Sequence, residues 1–223
     1  MSLGLIETIR VRDGRIPFLD RHLARLARSL AELGLPKPNQ DIAKLVTPFA
    51  ATGDAVLRVE VRDGRASVTV RELSRTEPPV VVTAAEPHQT YRHKTTERDC
   101  FEEAAAEAEV AEADDALLLT PEGFVAEGTT WTVYWWEGRE GGGGGDRLVT
   151  PTLELGILPG IARARVLELV QQVVQGRYPR AALTGRSAFL TNAVRGVVPL
   201  AFLDGTAVPA DARTAALAAR FWP

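Results

Sequence analysis

Lysine is scarce in this chain: of its 26 basic residues only Lys37, Lys44 and Lys94 are lysines and 23 are arginines. Lys94 stands in Tyr91-Arg92-His93-Lys94-Thr95-Thr96. An amine that is partly desolvated, or close to other cations, sheds its proton more readily and becomes a nucleophile able to bond to a carbonyl group. The alternative is an ordinary surface charge, with the scarcity reflecting codon usage. Three other segments carry charge where it could do chemistry. Arg25 lies one turn beyond Arg21 on a helix and could offer a two-pronged grip to a phosphate; its alternative is a solvated helix face. Glu127, in Val125-Ala126-Glu127-Gly128-Thr129-Thr130, is a carboxylate among apolar and small residues, costly to bury without a cation such as a protonated ring nitrogen. Its alternative is a strand that turns this residue to water. Gly156-Ile157-Leu158-Pro159-Gly160-Ile161-Ala162-Arg163 feeds a helix N-terminus, whose free amides and dipole favour an anion.

The elements that must position these residues follow from pattern. Leu5 to Val11 predicts a strand running into the hairpin signal Asp13-Gly14, with a second strand from Ile16 to Leu19. Asp20 is expected to cap a helix marked by Leu23, Leu26, Leu30 and Leu33 and stopped by Gly34 and Pro36. A helix over 41–51 precedes a second hairpin, 55–61 and 66–73, turning at Asp63-Gly64. Residues 1–73 therefore form a small α+β domain. The polar, proline-bearing stretch 74–79 has the composition of a linker, and 80–223 form a larger domain. There the pattern predicts a strand at 80–84, a helix over 97–112, a strand at 115–120 and a long strand from Phe124 to Trp136. Gly141 to Gly145 are expected at a hairpin tip. A helix after Gly160 with an apolar face of Ile161, Val166, Leu169, Val170 and Val173 comes next, then strands at 188–191 and 197–202 and a closing helix at 211–220.

Composition narrows the classes of function. Hydrophobic residues are 45% and charged residues 25% of the 223, the balance of an ordinary soluble domain. A net charge of −3 gives no electrostatic reason to expect nucleic acid or an anionic membrane as partner. Cys100 is the single cysteine, so no internal disulfide can form and a reducing, cytoplasmic setting fits. No apolar run approaches the ~20 residues of a membrane span, and no export signal is visible at the start. His22, His88 and His93 lack metal-ligand spacing, so no metal is expected. The glycine run lacks the Gly-Lys-Ser/Thr ending of a nucleotide loop. Trp131, Trp135 and Trp136 are expected in a core or subunit interface.

Taken in order, Glu7-Thr8-Ile9-Arg10-Val11 with Asp13-Gly14, the helix bearing Arg25, His93-Lys94-Thr95-Thr96, Glu127-Gly128-Thr129-Thr130, Leu158-Pro159-Gly160-Ile161 and Phe189-Leu190-Thr191-Asn192-Ala193 up to Pro199 resemble the fold-type IV pyridoxal-phosphate enzymes, the class IV aminotransferase family. The resemblance covers nearly the whole chain. It implies an α+β, two-domain fold, a small domain plus a larger pseudo-barrel domain carrying the reactive lysine, with pyridoxal 5'-phosphate as cofactor. It implies that Lys94 bonds to the cofactor aldehyde and then carries the proton, that Glu127 pairs with the protonated ring nitrogen, and that Arg25 binds the phosphate. The amides of Ile161 and Ala162, with Thr191, Asn192 and Ala193, would complete the phosphate cup. The chain departs from the family where a threonine is common and Ala162 stands, where a hydroxyl residue is common and Ala193 stands, and where an asparagine is common and Thr132 stands. The family also usually begins with one or two strands ahead of Glu7-Thr8.

Two reactions share this apparatus. One is the transamination of a branched-chain or D-amino acid. The other is the 4-amino-4-deoxychorismate lyase reaction, which releases pyruvate and 4-aminobenzoate, and Thr191 to Pro199 and Lys94 to Arg98 look more like that branch. A cofactor-binding relative without turnover is the third reading. Arg92 and Arg195 are candidates for a substrate carboxylate, with structural ion pairs as the alternative, and Thr8 for a hydrogen bond at the pocket, with simple strand propensity as its alternative. A small-molecule substrate and a homodimer are implied by the resemblance.

Overall fold

Alternation along the first strand decides what the first part of the chain builds. In β1 (Leu5–Val11) Leu5, Glu7, Ile9 and Val11 share one face. Helix α1 (Leu19–Glu32) covers that face with Leu26 and Leu30. The short helix α2 (Ile42–Val46) adds Ile42 and Val46, and β2 (Ala55–Arg62) adds Leu57, Val59 and Val61. With β3 (Arg65–Arg71) the strands make an antiparallel sheet ordered β1-β2-β3. The computed structural model describes residues 2–73, 79–138 and 147–223, so most of the expected linker, 74–78, and the expected glycine tip, 141–145, lie outside the described residues.

Both Asp-Gly turns form as expected, with positive φ at Asp13 and Gly14 and at Asp63 and Gly64. The expected strand Ile16–Leu19 does not form. The hairpin closes one bridge, Arg12 to Arg15; Pro17 then offers no donor, and Phe18 turns left-handed (φ 59°) to start α1 at Leu19, so Asp20 is inside the first turn rather than its cap. The helix expected over 41–51 narrows to α2 and a 3-10 segment, Thr47–Thr52, because Pro48 removes an amide. Asp41 caps α2 by accepting from the Lys44 amide at 3.3 Å.

The chain divides into two compact units, Met1–Arg75 with His93–Glu97, and Thr76–Arg92 with Arg98–Pro223. The lysine segment thus groups with the first unit, whereas the sequence reading placed it in the larger domain. The reason is backbone pairing along the outer edge of β1. Ile6 N donates to Lys94 O at 2.7 Å, Thr96 N to Gly4 O at 2.9 Å, and Leu5 bridges Thr95.

In the second unit β4 (Val80–Thr83) connects through α3 (Asp99–Val110) to a parallel neighbour, β5 (Asp115–Leu119). The expected long strand is broken into β6 (Val125–Gly128), paired with β5, and β7 (Thr132–Glu137), paired in a second sheet with β8 (Arg147–Pro151). A buried carboxylate makes the corner: Asp115 accepts from the Thr129 amide at 2.9 Å and the Thr130 hydroxyl at 3.2 Å. Arg98 holds Thr129 O at 2.7 Å from the other side. Helix α4 (Ile161–Leu169) ends earlier than expected; Val170 is extended, and Val173 opens β9 (Val173–Gly176), parallel to β8. β-branched Val173 and Val174 gain more as strand partners of Leu148 and Val149 than in another helical turn.

The expected strand 197–202 also divides. After β10 (Ala188–Asn192), β11 (Gly196–Pro199) ends at Pro199, and β12 (Phe202–Leu203) crosses to the first sheet, where it meets β13 (Thr206–Ala207). The closing helix forms as α5 (Ala212–Ala219), capped by Asp211. The sheets are ordered β13-β12-β4-β5-β6 and β11-β10-β7-β8-β9. They share one apolar core in which Val81, Leu117 and Val125 meet Trp131, Val133, Trp135 and Leu190. The mixed α+β architecture is the one the sequence implied.

Gly156 closes the approach to α4 with φ 79°, and a Cβ there would lie 2.9 Å from Thr90 Oγ1. Gly156→Ala therefore adds left-handed strain to a side-chain overlap and should cost on the order of 1–3 kcal/mol, read as a lower urea midpoint at unchanged slope.

Candidate active site

Of the three lysines, Lys37 and Lys44 are exposed and Lys94 is half-buried. Its backbone is fixed to the edge of β1, so the side chain starts from a rigid base. Its neighbour His93 is held by Ser29, with Nδ1 3.1 Å from the hydroxyl. Within the same unit, α1 brings His22 and Arg25 down onto β1. Arg25 is not on a solvated face. It is 5% exposed and donates through Nε to Glu7 Oε1 at 2.8 Å and through Nη2 to Glu7 Oε2 at 2.6 Å. His22 Nδ1 lies 2.6 Å from Glu7 Oε2.

Burial alone would raise the Glu7 carboxyl, but the charge of Arg25 and the hydrogen bonds from His22 and Arg25 hold it at about 2. A carboxylate can only accept, so His22 Nδ1 carries the proton in this pair. Burial pushes the His22 imidazole below its usual range, and the charges of Arg25 and Lys94 add to that. Arg25 Nη1 makes no hydrogen bond among the described residues. A buried guanidinium with one prong committed to a carboxylate and one amino group left over has the donor chemistry a phosphate needs. Thr8 sits on the opposite face of β1 from Glu7, paired with Arg58, so the unit does not bring it to this cluster.

In the second unit Glu127 is 5% exposed, not turned to water. Its Oε1 accepts from His88 Nε2 at 3.0 Å and from the Leu158 amide at 3.1 Å. Oε2 takes no hydrogen bond among the described residues, which leaves one lone-pair face of a buried carboxylate for an outside donor. This is the acceptor that a protonated ring nitrogen requires.

Leu158 leads into α4, whose first intrahelical bond runs from Ala164 N to Gly160 O. The amides of Ile161, Ala162 and Arg163 come before that bond and have no helical partner. Arg163 fixes the helix start by donating through Nη2 to Pro151 O and to Gln175 Oε1, both at 2.9 Å. Helix α4 packs on β10, whose last residues Thr191 and Asn192 lead into a tight turn at Ala193 to Arg195. The Asn192 side-chain oxygen accepts from the Val194 and Arg195 amides, and the Thr191 hydroxyl donates to Gly196 O at 2.8 Å. Both polar side chains are thus occupied by the turn itself. Arg195 lies over Trp131, 5.9 Å from its ring centre, and Arg92 is exposed.

Glu7, His22 and His88 were not assigned roles from the sequence. Glu7 was legible: it alternates with Leu5, Ile9 and Val11, and a carboxylate on a core face demands a cation, which the His22-x-x-Arg25 spacing supplies. His88 carried no such signal, being a lone histidine in a loop. Among the described residues no group of acidic, histidine or cysteine side chains could hold a metal ion.

The family model described as amino-transferase class IV matches residues 4–201. An aminodeoxychorismate lyase of Bacillus subtilis (strain 168) is 25% identical over 236 aligned positions, covering 91% of this chain and 78% of the relative. Among solved structures, a Mesorhizobium loti protein provisionally named an amino-acid aminotransferase is 31% identical, with a TM-score of 0.78 over 91% of this chain and 100% of that one. A fold IV transaminase of Curtobacterium pusillum is 26% identical, with a TM-score of 0.82 over 98% of this chain and 83% of that one.

The Glu7 carboxyl lies lower in the folded chain than its ordinary value of 4.5. Its contribution, about 3 kcal/mol for a shift of this size, is complete above pH 4.5 and is lost as pH falls towards 2. His22, also depressed, adds acid lability below its ordinary 6.5. Glu7→Gln should lower stability at pH 7 by about 3 kcal/mol or more and flatten the loss between pH 4.5 and 2, as measured by urea unfolding across that range.

Proposed function

This chain belongs to the class IV amino-transferase family, whose members are pyridoxal-phosphate enzymes, and we propose that its own reaction is the 4-amino-4-deoxychorismate lyase reaction. The observation that carries the reading is the likeness to the Bacillus subtilis lyase across 91% of this chain, together with the lyase-like character of the segments around Lys94 and Thr191.

Lys94 is the residue proposed to bond to the cofactor, Glu127 to pair with its ring nitrogen, and Arg25 to bind its phosphate. The Ile161 and Ala162 amides and the Thr191-Asn192-Ala193 turn would complete the phosphate site, the turn through its backbone because its side chains are occupied. Bound there, the cofactor supplies an electron-accepting ring that stabilises negative charge on the substrate's α-carbon. Glu127 Oε2 accepts the ring N–H and so keeps that ring cationic. Lys94 Nζ, in its neutral form, would take the α-proton and deliver it to the product. The fixed backbone of Lys94 limits how far Nζ must travel. Arg92 and Arg195 remain candidates for the substrate's carboxylates, and Thr8 for a hydrogen bond at the pocket. The substrate divides without addition of water into pyruvate and 4-aminobenzoate.

Amino-acid transamination is the second reading, favoured by the likeness to transaminase structures at 26% and 31% identity. A relative that binds the cofactor without turnover is the third; the loss of hydroxyls at Ala162 and Ala193 motivates it, and the retention of Lys94, Glu127 and Arg25 opposes it. The protein is further proposed to be cytoplasmic and a homodimer, which elution at the volume of a 24.1 kDa monomer would contradict. No helix among the described residues is long and apolar enough to cross a membrane.

Incubation with pyridoxal 5'-phosphate should produce a long-wavelength absorption band that Lys94→Ala abolishes. The loaded protein should release pyruvate and 4-aminobenzoate in equal amounts from aminodeoxychorismate. Keto-acid release from D- or L-amino acids without 4-aminobenzoate formation would decide for the transaminase.

A further inference from the structure

His88 is among the most enclosed polar side chains of the second unit, 4% exposed, and three contacts fix it. Its amide donates to Leu119 O at 2.7 Å at the end of β5. The Phe101 ring of α3 meets its imidazole edge to face, with centroids 6.0 Å apart. Its Nε2 lies 3.0 Å from Glu127 Oε1. The Leu158 amide reaches the same oxygen at 3.1 Å. Two donors on one oxygen set both the plane and the rotation of a carboxylate, so the direction of Oε2 follows from His88 and the backbone instead of from solvent. Arg163 of α4 and Cys100 of α3 also sense the charge of Glu127, but among the described residues His88 is the only side chain hydrogen-bonded to it.

We propose that His88 is a positioning residue: its Nε2–H holds Glu127 Oε1 so that Oε2 presents to the ring nitrogen of the cofactor, which keeps that nitrogen protonated. The proposal rests on the reading of Glu127 as the ring partner. It differs from a packing role in one respect, because what matters is a donor at the Nε2 position and not a ring of a given volume. An amide that reaches as far as Nε2 replaces it; an apolar side chain of similar bulk does not.

The test uses the protein loaded with pyridoxal 5'-phosphate labelled with 15N in the ring, whose nitrogen shift reports its protonation directly, alongside the cofactor dissociation constant. His88→Leu should weaken cofactor binding roughly ten- to hundredfold, the worth of one hydrogen bond to a charged group, and the ring nitrogen should lose its proton at lower pH than in the wild type. His88→Gln, whose amide reaches the Nε2 position, should restore both. If His88→Leu does not fold, His88→Asn, with an amide too short to reach, should show the same loss. A folded His88→Leu or His88→Asn protein with unchanged shift and affinity, while Glu127→Gln alters both, overturns the role of His88 and leaves the ring-partner reading standing. Glu127→Gln leaving both unchanged overturns the ring-partner reading and the proposal with it.

Discussion

A carboxylate set into an apolar strand has to find donors before the strand can be buried, and three such carboxylates organise this protein. Glu7 on β1, Asp115 at the start of β5 and Glu127 on β6 are each 5% exposed or less. An unpaired ionised group in such surroundings would cost more than the folded state of a domain can absorb. Each is met by a different kind of donor. Glu7 takes a guanidinium and an imidazole from α1, Asp115 the amide and hydroxyl of a chain corner, and Glu127 an imidazole and a single backbone amide.

The differences in donors explain the differences in consequence. Glu7 is saturated by charge, so it behaves as an anchor: the helix that carries Arg25 cannot shift on the sheet without exposing a buried ion pair. Asp115 receives no full positive charge, and burial pushes its carboxyl up against the pull of its hydrogen bonds. Its role is geometric, turning one strand's worth of apolar sequence into β6 of one sheet and β7 of the other. Glu127 is satisfied on one oxygen only. A buried carboxylate with one oxygen left open among the described residues has room for an outside donor.

Much of this was legible in the residues and some was not. Strand alternation, the two Asp-Gly turns and the leucine spacing of α1 fixed the first unit, because each is a local rule obeyed locally. The corner at Thr129 was missed because Phe124 to Trp136 is continuous in β propensity, and what breaks it is a carboxylate ten or more positions earlier in sequence. The early end of α4 was missed because Val170 and Val173 fit a helical face as well as a strand, and only pairing with β8 decides between them. The surroundings of Arg25 were left open for the same reason: spacing along a helix says which residues share a face, not what that face meets. Motif order could point to Lys94, Arg25 and Glu127, but it carried no word of His88, whose part depends on a contact across 39 positions.

The two alanines that stand where the family often has hydroxyl residues do not by themselves remove an anion site. Ala162 lies within the first turn of α4, where the amides of residues 161–163 lack helical partners whatever the side chain. Their direction comes from the helix axis, and that axis is pinned by the buried Arg163 through Pro151 O and Gln175 Oε1. A hydroxyl at 162 would add one donor to three that backbone geometry already supplies. At Ala193 the case is similar: Asn192 and Thr191 spend their side chains on holding the turn, so an anion there would meet amides in fixed positions. What such a site loses in donors it keeps in rigidity, and preorganised backbone dipoles lose little entropy on binding. The fixed amides at these two places therefore support the proposed phosphate site.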